Sequence, residues 1–75
     1  MERTRFELQG DFVELNQLLK LVGACESGGA GKMLVAQGLV KVDGVVELRK
    51  TFKVRAGHVV TYRDFEVSVV TSSGA

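Results

Sequence analysis

Gly38 separates two hydrophobic periods, and that switch restricts the possible folds more than any other feature of the 75-residue chain. Before it, Phe12, Leu15, Leu18, Leu19 and Val22 recur at helical spacing up to Gly23. Asp11 is the expected cap of this helix, with Glu14 three residues later in a capping-box arrangement. Ser27 is the expected cap of a second helix running to about residue 37, with Met33, Leu34 and Ala36 facing inward. After Gly38 the period falls to two: Leu39, Val40, Lys41 and Val42 face Val45, Val46 and Glu47 across Asp43-Gly44, a dipeptide that favours a two-residue hairpin turn. Phe52 and Val54 alternate with Lys53 and Arg55, and strands are expected over residues 58–62 and 65–70 on either side of Arg63-Asp64. A short strand over residues 5–9 precedes the helices, ended by Gly10. The expected fold is α+β: two packed helices followed by a small, mostly antiparallel β-sheet. It occupies residues 1–70 as one domain, with 71–75 a loose tail.

A domain of this length buries only about 60% of its unfolded surface, so its stability has to come from a small core. One cysteine, Cys25, excludes an intramolecular disulfide, and one cysteine with one histidine, His58, cannot close a four-ligand zinc site. No apolar run approaches the roughly 20 residues that span a bilayer, and residues 1–5 lack a hydrophobic signal segment. The expectation is a cytoplasmic protein with no metal or cofactor. Nothing in the pattern resembles a coiled-coil seam, and a monomer is expected.

Net charge is only +1, but it is unevenly distributed. Arg3 and Arg5 are outnumbered by Glu2, Glu7, Asp11 and Glu14, and Arg63 by Asp64 and Glu66. Between residues 20 and 55, Lys20, Lys32, Lys41, Arg49, Lys50, Lys53 and Arg55 face only Glu26, Asp43 and Glu47, a net +4. Such a stretch is either ordinary solvated surface or a phosphate-binding face. The second helix opens inside it on Gly28, Gly29 and Gly31, each costing roughly 1 kcal/mol of helix propensity relative to alanine. Two gains can offset that cost: backbone amides brought close to a phosphate at the positive end of the helix dipole, or close packing of the two helices.

Enzymatic readings fail on spacing. Gly29-Ala30-Gly31-Lys32 has the glycine-lysine element of a nucleotide-binding loop, yet Glu26 stands where the first glycine is needed and Met33 where the serine or threonine is needed. Cys25 and His58 form no nucleophile pair with an orienting third group. Phe52 and Tyr62 are either stacking surfaces for bases or core aromatics.

The order of helix, helix, hairpin and basic strand resembles the alpha-L RNA-binding motif, the domain named after ribosomal small-subunit protein S-four. The likeness rests on Leu15 and Leu19 four apart, on Ser27 eleven residues before Gly38, on Val40-Lys41-Val42-Asp43-Gly44, and on Gly57 thirteen residues beyond Gly44. It covers residues 13–62. More narrowly, Leu18-Leu19-Lys20-Leu21, Glu26-Ser27-Gly28 and Glu47-Leu48-Arg49-Lys50 are similar to stand-alone bacterial members of the YbcJ type. In that family the domain also accompanies pseudouridine synthases and tyrosyl-transfer-RNA synthetases as their RNA-holding part; no catalytic partner is joined to it here, so an enzyme is not expected.

The resemblance implies an RNA surface made of Ser27, Gly28, Gly29 and Lys32 at the second helix, Lys41, Asp43 and Gly44 at the hairpin, and Arg49, Lys50, Lys53 and Arg55 after it, with Lys20 alongside. The implied partner is structured RNA, ribosomal RNA foremost, and the implied setting is ribosome-associated. Family members often carry arginine at the positions of Glu14 and Gly28, asparagine at Asp43 and an acidic residue at His58, so some contacts are moved or lost here. The competing function is a protein-interaction module that contacts a larger enzyme or ribosomal protein through a strand edge or the hairpin.

Overall fold

The computed structural model of the chain describes residues 2–71, without the side chain of Glu2. Its elements are β1 (Glu2–Leu8), β2 (Val13–Glu14), α1 (Leu15–Leu21), α2 (Gly28–Ala36), β3 (Val40–Val42), β4 (Val45–Val46), β5 (Lys53–Val54), β6 (Val59–Tyr62) and β7 (Phe65–Thr71). The expected class is therefore correct: two helices and a mostly antiparallel sheet. Strand order in the main sheet is β1-β7-β6-β3-β4, and β2 pairs with β5 in a separate two-stranded ribbon. Three of the main pairings are antiparallel; β1 runs parallel to β7, with Phe6 opposite Val69 and Leu8 opposite Thr71. Thr71 thus closes β7, while the rest of the expected tail, residues 72–75, lies outside the described residues.

The core is built from alternate residues of the sheet and one stripe of each helix. Leu8, Val40, Val42, Val60, Tyr62, Val67 and Val69 meet Leu15, Leu18, Leu19 and Val35, with Val54 from the ribbon. Each fully buried aliphatic side chain contributes roughly 1.5–3 kcal/mol relative to exposure, which a domain this small needs from most of them. The Asp43-Gly44 turn follows the sequence expectation: both residues have positive φ, 52° and 83°, and the right-handed twist of paired strands favours such a turn.

Two local expectations are corrected. Asp11 does not cap α1; the chain is extended through Val13–Glu14, with Val13 opposite Val54 and Glu14 opposite Lys53. Glu14 occupies the cap position without a side-chain cap bond. The first amides of α1 are satisfied instead by main-chain carbonyls, Leu15 donating to Phe52 at 2.9 Å and Asn16 to Lys50 at 3.2 Å. A distant strand thus replaced the local capping box, and Phe12, left before the helix, is 39% exposed. In α2, Val35 and Gly31 face inward, whereas Met33 is 61% exposed and Ala36 also faces solvent. Gly31 sets that rotation, because a Cβ there would lie 2.5 Å from the Asn16 carbonyl oxygen, so this face has to abut α1. With Gly31 inward, Gly28, Leu34 and Val35 follow at three and four residues, and Met33 and Ala36 turn away.

No helix among the described residues is long and apolar enough to cross a membrane, and no three of their His, Cys, Asp and Glu side chains gather as a metal site would require.

Candidate functional site

Asn16 joins the two regions that carry the site. It is 2% exposed on the first turn of α1. Its Nδ2 donates to the Gly28 carbonyl at 3.2 Å, and its own amide donates to the Lys50 carbonyl. The glycine-rich start of α2 and the basic segment after the hairpin therefore flank a single residue. Its Oδ1 is buried with no hydrogen-bond partner, a cost offset by the tie it makes between the two segments.

Ser27 caps α2 as its sequence position requires, its Oγ accepting from the Ala30 amide at 3.0 Å. Helix geometry leaves the amides of Gly28 and Gly29 without an intrahelical acceptor, at the positive end of the dipole. The three glycines then separate by role. Gly31 serves helix packing, Gly28 lies against the end of the Gln17 side chain, and Gly29 has no neighbour nearer than the Ser27 hydroxyl, 3.8 Å from where a Cβ would stand. Only Gly29 and part of Gly28 remain open to a ligand.

Arg49, Lys50, Lys53 and Arg55 are all exposed on the segment that the α1 amides hold in place. Lys53 and Arg55 stand over the Phe12 ring, at 5.1 and 5.9 Å from its centroid, and Arg49 stands over Phe52 at 4.6 Å. Arg49 is not a free cation. Its Nε lies 2.9 Å and an Nη 3.1 Å from the two carboxylate oxygens of Glu47, a two-point pairing that lowers the Glu47 pKa and raises that of Arg49. Lys32 is exposed on α2, one turn beyond Gly28.

The remaining sequence-predicted residues lie apart. Lys20 is in the last turn of α1, where it complements the negative end of that helix dipole. Lys41 alternates with buried Val40 and Val42, so it projects from the outer face of the sheet, opposite Thr61. Asp43 is occupied internally: it accepts from the Val59 amide at 2.9 Å, and its other oxygen is 2.7 Å from His58 Nδ1. The Val59 hydrogen bond first, then the one from His58, holds its carboxyl below the usual value. Gly44 is consumed by the turn. The substitutions relative to the family pattern are therefore complementary, since the aspartate at 43 faces a histidine at 58. Sequence reasoning missed Asn16 and put Phe12 on the helix stripe, because their place beside the basic segment follows from the β2–β5 pairing; Thr51, between Lys50 and Phe52, carried no charge or period to single it out. Tyr62 is buried, and Phe52 is half-buried beside the basic side chains.

Known proteins resemble this chain in sequence and fold. The YbcJ proteins of Escherichia coli K12 and Shigella flexneri are each 52% identical over 58 residues, 77% of this chain and 83% of theirs. A tyrosine–tRNA ligase of Ralstonia nicotianae is 42% identical over 53 residues, which is 71% of this chain but 14% of that enzyme. The solution structure of YbcJ from E. coli, described as revealing an alpha-L motif involved in RNA-binding, superposes with a TM-score of 0.67 at 44% identity, covering 95% of this chain and 89% of that one. The S4 domain model matches residues 6–70, from within β1 almost to the end of β7. The helix pair, the hairpin turn and the basic segment that Asn16 draws together all fall inside that match, and the chain belongs to the S4 domain family.

Proposed function

We propose that the protein binds structured RNA, ribosomal RNA foremost, by setting the amide end of α2 and the basic segment 49–55 against the phosphate backbone. The observation that carries this reading is the convergence on Asn16: a helix start bearing free amides and a segment bearing Arg49, Lys50, Lys53 and Arg55 are held side by side. Family membership, and the RNA-binding described for the motif in YbcJ, support the choice of polynucleotide. Gly28 and Gly29 offer backbone amides where a side chain would hold the phosphate at a distance, while Lys32 and the exposed lysines supply charge. A-form RNA hides its major groove, so such a face reads backbone shape and 2′-hydroxyl groups rather than base order. Ser27 shapes this face by capping α2, Asp43 and Gly44 form the hairpin turn apart from it, and Lys20 and Lys41 contribute at most long-range field.

No catalytic step is assigned to the chain. We place its action in the cytoplasm, as a monomer, where the free thiol of Cys25 is stable. With four to six phosphates neutralised, the logarithmic slope of affinity against salt is expected to be roughly −3 to −4 on single strands and steeper on duplex. Titration of a hairpin RNA at several salt concentrations tests this, comparing the wild type with a Lys32→Glu, Lys50→Glu, Lys53→Glu variant. The variant should bind weakly with a shallower slope; equal binding by the two proteins refutes the assigned face.

A further inference from the structure

Beside the helix tip lies a second feature that phosphate neutralisation does not account for. Arg49, Thr51, Phe52, Lys53, Arg55 and His58 line an open depression of about 530 Å³, within the size range of small-ligand sites. Its chemistry is mixed in a specific way. Phe52 is half-buried, with the Arg49 guanidinium over its ring and the His58 ring edge-on at 5.7 Å and 65°. Glu47 fixes that guanidinium from the side, so its outer face is a flat, positioned surface rather than a mobile tip. Lys53 and Arg55 stand two residues apart on one wall, held there by the Phe12 ring. Asp43 holds His58, its carboxylate 2.7 Å from Nδ1. The floor is anchored by main-chain bonds from Leu15 and Asn16 to Phe52 and Lys50.

We propose that this cleft seats one unpaired nucleotide of the bound RNA, its base against the Arg49–Phe52 stack and its phosphate between Lys53 and Arg55. The proposal rests on the RNA-binding reading above and adds to it a selection for bulged or looped nucleotides. Bases within a duplex present only their edges, whereas a splayed base presents the flat face that an aromatic ring or a guanidinium plane accepts. No carboxylate is among the residues that line the cleft; Glu47 and Asp43, which touch its lining, are engaged with Arg49 and with His58 and Val59, and Glu14 stands opposite Lys53 in the ribbon. Thr51 adds a hydroxyl at the rim able to serve a base edge or a ribose oxygen.

The test compares two hairpin RNAs, one fully paired and one with a single bulged 2-aminopurine, against the wild type, Arg49→Gln and Phe52→Leu, with circular dichroism as the fold control. The wild type should prefer the bulged RNA roughly 5- to 150-fold, the range of one base–aromatic stack, with a change in 2-aminopurine fluorescence on binding. Arg49 is exposed and outside the core, so Arg49→Gln should keep the fold, weaken both hairpins alike through the lost cation and, beyond that common loss, lose most of the preference and the fluorescence change. Phe52→Leu, which removes no charge, should lose the preference and the fluorescence change while retaining its circular dichroism spectrum. Equal binding of both RNAs by the wild type, or an unchanged preference in Arg49→Gln, overturns the cleft assignment and leaves RNA binding standing. Binding of neither RNA overturns both readings. Free adenosine monophosphate binding as tightly as the bulged hairpin assigns the cleft to a small nucleotide instead and overturns the proposal.

Discussion

At the residue level, Gly31 and Asn16 act as a pair. The helices approach so closely that a Cβ at position 31 would meet Asn16 backbone, which cannot rotate away as a side-chain end can. Gly31→Ala is therefore expected to destabilise by about 1–3 kcal/mol despite the higher helix propensity of alanine, measured as a lower midpoint in urea. A neutral or stabilising effect would mean the helices can part without loss. Gly29→Ala, with nothing close, should behave in the opposite sense and gain from propensity. Asp43 carries a pH signature. Its folded pKa is depressed by the Val59 amide and then by His58, so its contribution is present above the unfolded value of about 4 and is lost as pH falls through the folded value. The wild type should lose stability more steeply than Asp43→Asn between about pH 4 and the acid limit of folding. Asparagine tolerates the left-handed backbone at position 43 and can still accept from Val59, so the comparison isolates the charge. Superimposable acid-unfolding curves would contradict the assignment.

Among the elements, the helix starts show how far local signals reach. Ser27 caps α2 because its hydroxyl needs only the Ala30 amide three residues on, a contact that the sequence itself specifies. Ser27→Ala should cost about 1 kcal/mol in chemical denaturation and should also weaken RNA binding, since the α2 tip frays; unchanged stability would show the cap to be idle. The Asp11 and Glu14 pattern looks equally good locally and fails, because pairing of Val13 with Val54 keeps that stretch extended and supplies main-chain acceptors for α1. The inward face of α2 was misplaced for a related reason. Hydrophobicity favours Met33, but the closest contact with α1 is made by a residue with no side chain, and glycine carries no hydrophobic signal.

For the whole molecule, the largest feature without a local signature is β1 lying parallel to β7, which joins residues 2–8 to residues 65–71 across nearly the full chain. Leu8 is buried by that pairing and Phe6 packs on the core. A chain lacking residues 2–8 would leave β7 as an open edge and remove two apolar side chains from a core with little surplus. It should lose cooperative thermal unfolding, and a sharp transition near that of the wild type would show β1 to be dispensable. The same distinction separates what was legible from what was not. The two helices, the Asp43-Gly44 hairpin and the basic character of residues 20–55 follow from hydrophobic period, turn chemistry and charge, all of which act between near neighbours in the chain and so are written into the residue order. Which cations stand together was decided only by tertiary structure. Main-chain bonds from Leu15 and Asn16 bring Lys50 and Phe52 to the start of α1, the Gly31 contact brings the α2 tip to the same place, and strand alternation sends Lys41 to the far face of the sheet. Main-chain hydrogen bonds and the absence of a side chain leave no mark on composition or period, so the grouping appears only when distant segments meet.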